Sequence, residues 1–124
     1  MNRSICSVSV IAFMAFLAGG ALHSQDYRAY ITSNEANVVS VIDTVNDSVI
    51  ATIPVGDGPT CIAVGSHGRV YVGNSRSLDV YVIDVETNQV VAVIPFENEP
   101  TGIAVDPSGS RAYVAYNNHT CIPS

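Results

Sequence analysis

The sequence predicts an all-β fold built from four-stranded antiparallel units, and three observations carry that prediction. The chain repeats itself: Arg28–Gly68 laid over Arg69–Gly109 at an offset of 41 gives 16 identical residues out of 41, without a gap. Shared positions include Arg28/Arg69, Tyr30/Tyr71, Asp43/Asp84, Pro54/Pro95, Pro59/Pro100, Ala63/Ala104 and Gly68/Gly109, and after a one-residue slip a third copy opens with Arg111-Ala112-Tyr113-Val114. Each copy consists of short Val-, Ile- and Tyr-rich runs bounded by Gly, Asn, Asp and Pro clusters, the pattern of strands and tight turns. Beyond the first two dozen residues, no segment shows an apolar period of about 3.6 residues that would mark a helix. A repeat length near 40 residues is typical of architectures that stack one supersecondary unit on the next.

The elements follow in chain order. Met1-Asn2-Arg3 is a short positive start, Ile5–Leu17 is apolar and uncharged, and Ala18-Gly19-Gly20-Ala21 supplies small residues. That order predicts a secretory signal peptide over residues 1–24, cleaved between Ala18 and Ser24. The alternative is an uncleaved anchor, because Ile5–Leu22 nearly reaches the ~20 apolar residues of a spanning helix; Gly19-Gly20 and the polar His23-Ser24-Gln25-Asp26 favour cleavage.

Within each repeat, Arg28–Thr32 and Arg69–Gly73 predict a strand, and Val38–Asp43 and Val80–Asp84 the next. Asp43 and Asp84 end that strand where a carboxylate accepts backbone N–H groups and starts a turn. Val49–Val55 and Val90–Phe96 form a third run. Pro54 and Pro95 remove a ladder donor there, so this strand belongs at a sheet edge. After a Pro-Thr turn, Cys61–Gly65 and Gly102–Asp106 form the fourth run, and the continuous Ile-Ala-Val at its centre predicts the most buried strand. Gly68 and Gly109 are placed to supply a positive φ in the hairpin to the next copy.

A four-stranded unit with an apolar inner strand and a proline-bearing outer edge is the blade of a β-propeller. Ala29-Tyr30-Ile31-Thr32-Ser33, Val70-Tyr71-Val72-Gly73-Asn74 and Ala112-Tyr113-Val114-Ala115-Tyr116 resemble the Tyr-Val-Thr-Asn signature of the YVTN family of β-propeller repeats. The Val-Ile-Asp hairpin, Ala51-Thr52-Ile53-Pro54-Val55-Gly56 and Pro100-Thr101-Gly102-Ile103-Ala104-Val105-Asp106-Pro107-Ser108-Gly109 agree with it. The resemblance covers residues 25–116. It implies an exported propeller of about seven or eight blades, of the kind found in bacterial and archaeal surface or periplasmic proteins, and it transfers shape better than function.

In that family's blade the innermost strand comes first. The chain then holds three strands lacking an inner one (Arg28–Val55), a whole blade (Pro59–Phe96) and two opening strands (Pro100–Tyr116), about two and a quarter blades. A divergent tail fills residues 117–124. Closed propellers need roughly four to eight blades. Three arrangements are open: a truncated gene product, several chains assembling into one ring, or a stable short monomer. Exposed blade faces and edges invite the second, and the small core weighs against the third.

Composition bounds the function. Arg3, Arg28, Arg69, Arg76 and Arg111 oppose 11 carboxylates, lysine is absent, and the formal charge is −6. Such a surface repels phosphate backbones, so no nucleic-acid partner is expected. Cys61 and Cys121 show no CxxC spacing, and a disulfide between them is open. Cys61 stands where the next repeat has Gly102, as a small buried residue would.

Enzymatic motifs are missing: there is no Gly-x-Ser-x-Gly elbow, no His-Glu-x-x-His and no phosphate-binding glycine loop. No catalytic, cofactor-binding or metal-binding residue is expected. His67 and His119 read as loop residues, and Asp43, Asp57, Asp84 and Asp106 as turn carboxylates. Asn46-Asp47-Ser48 and Asn118-His119-Thr120 match the glycosylation sequon. Tyr30, Tyr71 and Tyr113, each two residues after an Arg, read either as a binding ring or as packing between blades, and their regular spacing favours packing. The expected function is an exported, non-catalytic binding or surface module, periplasmic or extracellular, with an unknown protein or surface ligand and possible self-association. The alternative is the remnant of a propeller enzyme, a lactonase-type hydrolase or a periplasmic dehydrogenase subunit.

Overall fold

The computed structural model describes residues 10–11 and 27–117. Their strands are β1 (Val10–Ile11), β2 (Arg28–Ser33), β3 (Val38–Asp43), β4 (Ser48–Pro54), β5 (Pro59–Val64), β6 (Arg69–Asn74), β7 (Asp79–Asp84), β8 (Gln89–Pro95), β9 (Glu99–Val105) and β10 (Ala112–Asn117). They form three antiparallel sheets, in the orders β1-β2-β3-β4, β5-β6-β7-β8 and β9-β10. Every sheet neighbour is the next strand in the chain, so each sheet is a meander that local hairpins can build. The fold is all-β, with blades of a propeller stacked in an incomplete ring.

The repeat is reproduced in register. Arg28 faces Asp43 and Tyr30 faces Val41 in the first sheet; Arg69 faces Asp84 and Tyr71 faces Val82 in the second. The β3–β4 and β7–β8 pairs each carry a register shift at the equivalent place, Val41/Ile42 and Val82/Ile83. Pro54 and Pro95 close β4 and β8, the outermost strands. There a missing N–H faces no neighbour. Gly68 and Gly109 take φ of 72° and 76°, as their hairpins require.

Three expectations are corrected. Pro59-Thr60 and Pro100-Thr101 are not turns; they lie within β5 and β9. A register shift after Pro59 skips Thr60, and another on β9 skips Thr101. Proline fits there because it opens a strand next to a bulge. The Ile-Ala-Val strands are not the most buried: Ala63, Val64 and Val105 are half-buried and Ala104 is exposed. Burial is shared among β2, β3, β5, β6 and β7, where β5 buries Pro59, Cys61 and Ile62 at its start and not its Ala63-Val64, and among the described residues the second sheet alone lies between two others. Lastly, the first sheet is not left without an inner strand. Val10 pairs with Ile31 and Ile11 with Tyr30, the register in which Ile62 meets Val72 and Ala63 meets Tyr71.

The core is the seam between the first two sheets. Tyr30, Val39, Val41 and Ile53 of the first meet Ile62, Val70, Val72, Ile83 and Val85 of the second in one apolar cluster. The third sheet continues the stack, with β9 packing on β5, β6 and β7. Its reach shows in equivalent positions. Val80 and Val82 on β7 are buried as Val39 and Val41 are, but Ile94 on β8 is 43% exposed where Ile53 is 3% exposed. Among the described residues, two strands cover the inner and middle strands of the neighbouring blade and stop short of its rim.

Candidate functional site

Polar side chains converge at the end of the blades where the β2–β3 hairpin (residues 34–37), the β6–β7 hairpin (residues 75–78) and the β4–β5 connection (residues 55–58) meet. Arg76 spans all three. Its Nε donates to Asp57 Oδ1 at 3.0 Å, Nη1 to Asn34 Oδ1 at 3.3 Å, and Nη2 to the Asn34 carbonyl at 3.2 Å. Asn34 Nδ2 continues the chain to the Pro59 carbonyl at 3.3 Å, and the Gly58 N–H donates to Asn37 Oδ1 at 2.9 Å. The guanidinium fork suits this task, because its donors lie in one plane and can hold a carboxylate and a carbonyl together.

A second layer lies under the first. Ser77 Oγ accepts from the Asp57 N–H at 2.9 Å and donates to Asp79 Oδ1 at 2.8 Å, which also accepts from Asn74 Nδ2 at 2.9 Å. Gly56 lets the connection run over these groups: a Cβ there would stand 2.5 Å from Ser77 Oγ and 2.7 Å from Asn74 Nδ2. Asn74 is fully buried, and its Oδ1 has no protein partner.

Chemically the arrangement is a clamp. Arg76 and Asp57 are engaged with each other, and the Ser77 hydroxyl, which donates to Asp79 Oδ1, is itself held by the Asp57 N–H. Among the described residues, no group of three His, Cys, Asp or Glu side chains is close enough to hold a metal ion. Cys61 is a free, buried thiol that burial pushes above its ordinary pKa, which disfavours the reactive thiolate. Cys121, His119 and the sequon at Asn118 lie outside the described residues, so the pairing of Cys121 is not placed.

Asp43, Asp84 and Asp106 act in turns, whereas Asp57 is engaged by Arg76 across the blades. Asp43 Oδ1 accepts the Val45 N–H at 2.9 Å and Asp84 Oδ1 the Glu86 N–H at 3.0 Å. Asp106 organises the β9–β10 hairpin by accepting from Ser108 Oγ at 3.0 Å and from the Ser110 N–H at 3.0 Å. Partial desolvation pushes the Asp106 carboxyl up, but hydrogen bonds from Ser108 and the N–H groups of Arg111, Ser110 and Gly109 outweigh it and hold the pKa below its ordinary value. His67 is exposed in the β5–β6 hairpin, and Asn46 is exposed at the β3–β4 hairpin.

The Tyr series splits by position. Tyr30 is fully buried, Tyr71 half-buried and Tyr113 57% exposed. Burial raises the Tyr30 pKa, partly offset by the Arg28 guanidinium. Arg28 Nη1 donates to the Val85 carbonyl at 3.0 Å across the seam, and Arg69 Nη1 lies 3.6 Å from Asp84 Oδ1. Where a following sheet is present, these residues pack between blades.

The clamp itself was not singled out from the sequence, yet a signal for it exists. Arg76 stands where the first repeat has Glu35, Asn37 where the second has Leu78, and Asp57-Gly58 where the next connection has Asn98-Glu99. These are departures from the repeat, and they cluster in space.

No protein family and no curated protein matches the sequence. Solved structures do. The chain is similar to hydrazine synthase of Kuenenia stuttgartiensis, with 29% identity and a TM-score of 0.69 over 72% of this chain and 26% of that one. It is also similar to AztD of Citrobacter koseri: the apo structure has 21% identity and a TM-score of 0.54, over 60% of this chain and 22% of that one. A further AztD structure has 20% identity and a TM-score of 0.53. The chain thus spans about a quarter of the length of these solved proteins. They are β-propeller-type proteins, and the fold of this chain is β-propeller-like.

Proposed function

We propose that this chain is a segment of an exported, non-catalytic β-propeller of the YVTN repeat type, acting as a binding or surface module in the periplasm or outside the cell. The observation that carries the reading is the seam. Two repeats fold into blades that pack with one face of the first, through Tyr30, Val39, Val41 and Ile53, on the opposite face of the second, through Ile62, Val70, Val72 and Ile83, and polar groups at the blade ends hold neighbouring blades together. Side chains committed to each other leave a scaffold whose exposed loops do the recognising. The leader-like Met1–Ser24 supports export, and its removal would take β1 with it and leave the inner side of β2 open. The tyrosine signature supports the YVTN assignment.

A second reading, the remnant of a propeller enzyme, draws on the likeness to hydrazine synthase, an enzyme by its name. Assays of the purified chain for metal-dependent lactone hydrolysis and for dehydrogenase activity decide between them. The first reading expects no turnover above buffer, and metal-dependent turnover lost in Asp-to-Asn variants would favour the second. For export, the protein is expected in the periplasmic or culture fraction with a mass lacking about two dozen N-terminal residues. Full-length protein held in the cytoplasm would refute it.

A further inference from the structure

The connection between the first two sheets contains Asp57-Gly58, the one place in the chain where glycine follows aspartate or asparagine. Such a step is chemically weak. The glycine nitrogen is unhindered and its backbone is free to turn, so that nitrogen can reach the carboxyl carbon of the aspartate before it. In the folded chain the groups that must move for this are held. The Asp57 carbonyl accepts the N–H groups of Arg76 at 3.0 Å and Ser77 at 3.1 Å, and the Gly58 carbonyl accepts the Ser75 N–H at 2.8 Å and Ser75 Oγ at 3.1 Å. Asn37 Oδ1 engages the Gly58 N–H, and Arg76 Nε engages the Asp57 carboxylate. Arg76 also lies against the peptide itself: a Cβ on Gly58 would stand 3.1 Å from its Cγ and 3.2 Å from its Cζ. The equivalent connection after β8 carries Asn98-Glu99, so the weak step and its restraint belong to this connection and not to the repeat.

We infer that Asp57-Gly58 is a site of spontaneous isoaspartate formation that the Arg76 clamp holds closed, so that opening of the blade ends is recorded as a covalent change. In the open state the Gly58 nitrogen attacks the Asp57 carboxyl carbon, and the new C–N bond closes a five-membered succinimide. One carboxyl oxygen leaves as water, taking the N–H proton and one proton from solvent. Water then reopens the ring. Attack at the former backbone carbonyl leaves the chain running through the side chain, one methylene longer, with the carboxylate on Cα. No oxidant, metal or cofactor enters, and the product has the mass of the starting chain. The lengthened connection no longer presents its carbonyl and its carboxylate at the spacing that Arg76 spans. The site does not depend on where the protein resides or on any catalytic role.

The test ages the purified full chain at neutral pH, well below its thermal midpoint, and measures isoaspartate by enzymatic methyl transfer, with peptide fragmentation to place it. A synthetic peptide of residues 53–62 supplies the rate of the unrestrained step. The native chain is expected to react at Asp57 at least about thirtyfold more slowly than the peptide, because only the opened fraction reacts. Arg76→Ala is expected to speed the reaction about fivefold or more. Asn37→Gly, which accommodates the φ of 60° at that position and removes the acceptor for the Gly58 N–H, is expected to do the same. Arg69→Ala breaks the ion pair with Asp84 at the other end of β6 and is expected to leave the rate unchanged. A native chain that reacts at the peptide's rate overturns the inference, as does a chain unfolded in urea that forms no isoaspartate at Asp57. So do Arg76→Ala and Asn37→Gly rates equal to the native one, or an Arg69→Ala rate raised as far as theirs, which would trace the reaction to unfolding of the whole chain. Variants are compared only where their circular dichroism matches that of the native chain, so misfolding cannot mimic an opened clamp.

Discussion

Arg76 and Leu78 sit two positions apart in one hairpin and show how a single residue serves or strains a repeat. Leu78 has φ of 58°, in the left-handed region, where its counterpart Asn37 has φ of 60°. Both donate a backbone N–H back across the hairpin, Leu78 to Asn74 at 3.0 Å and Asn37 to Ser33 at 2.9 Å. The backbone is thus imposed by the hairpin, and leucine is the poorer occupant, because a left-handed conformation costs an ordinary L-residue about 1–2 kcal/mol that asparagine partly avoids. Leu78→Asn is expected to stabilise the chain by about 0.5–1 kcal/mol, read as a higher urea midpoint at unchanged slope. A lower midpoint would show that leucine packing outweighs the strain.

Arg76→Ala removes the bonds that tie the second blade to Asn34 and Asp57. An exposed ion pair alone is worth at most about 1 kcal/mol, but here it is joined to two further bonds. The expected cost is about 1–2 kcal/mol, and Arg76→Lys is expected to recover less than half of it, because an ammonium cannot reproduce the fork. Full recovery with Lys would reduce the clamp to simple charge pairing.

Between residue and molecule, the β9–β10 hairpin carries a carboxylate that its own turn stabilises. The Asp106 carboxylate is held below its ordinary pKa by the N–H groups and the hydroxyl of its own turn. The sign follows from linkage: a group whose folded pKa is depressed contributes stability that is present above the unfolded value, near 3.9, and is lost as pH falls through the folded one. The difference in thermal midpoint between the native chain and Asp106→Asn is therefore expected to be present at neutral pH and to shrink as pH falls below about 4. A difference that stays constant with pH would assign the effect to shape and not to charge.

Hairpins are also where the sequence was most legible. Asp43, Asp84, Gly68 and Gly109 announce turns by local chemistry alone, and Pro54 and Pro95 announce an edge. Pro59-Thr60 misled, because a proline that opens a bulged strand has the same local composition as a turn, and only the pairing with β6 separates the two. The Ile-Ala-Val runs misled for another reason. Their apolar character suits the axis of a closed ring, and burial at an axis is a property of the whole ring, which no run of residues contains. The clamp was hidden because regular spacing draws attention to what repeats, whereas Arg76, Asn37 and Asp57 act by differing from their equivalents.

At the scale of the molecule, stability is a sum of blades and seams, as in other repeat proteins where each unit touches only its neighbours. Equal residues should then carry unequal weight according to the seam they occupy. Ile53 and Ile94 are equivalent in sequence, strand and register, each preceding the proline that closes an outer strand, yet Ile53 is 3% exposed and Ile94 43%. Trimming one methylene from a packed isoleucine typically costs about 0.5–1.5 kcal/mol, while the same change on an open surface stays within about 0.5. Ile53→Val is accordingly expected to lower the thermal midpoint by several degrees, since about 1 kcal/mol corresponds to roughly 4–8 °C in a domain of this size. Ile94→Val is expected to leave it almost unchanged. Equal costs in the free chain would mean that something already covers the rim of the second blade, and the unit of stability would then be larger than two blades and a hairpin.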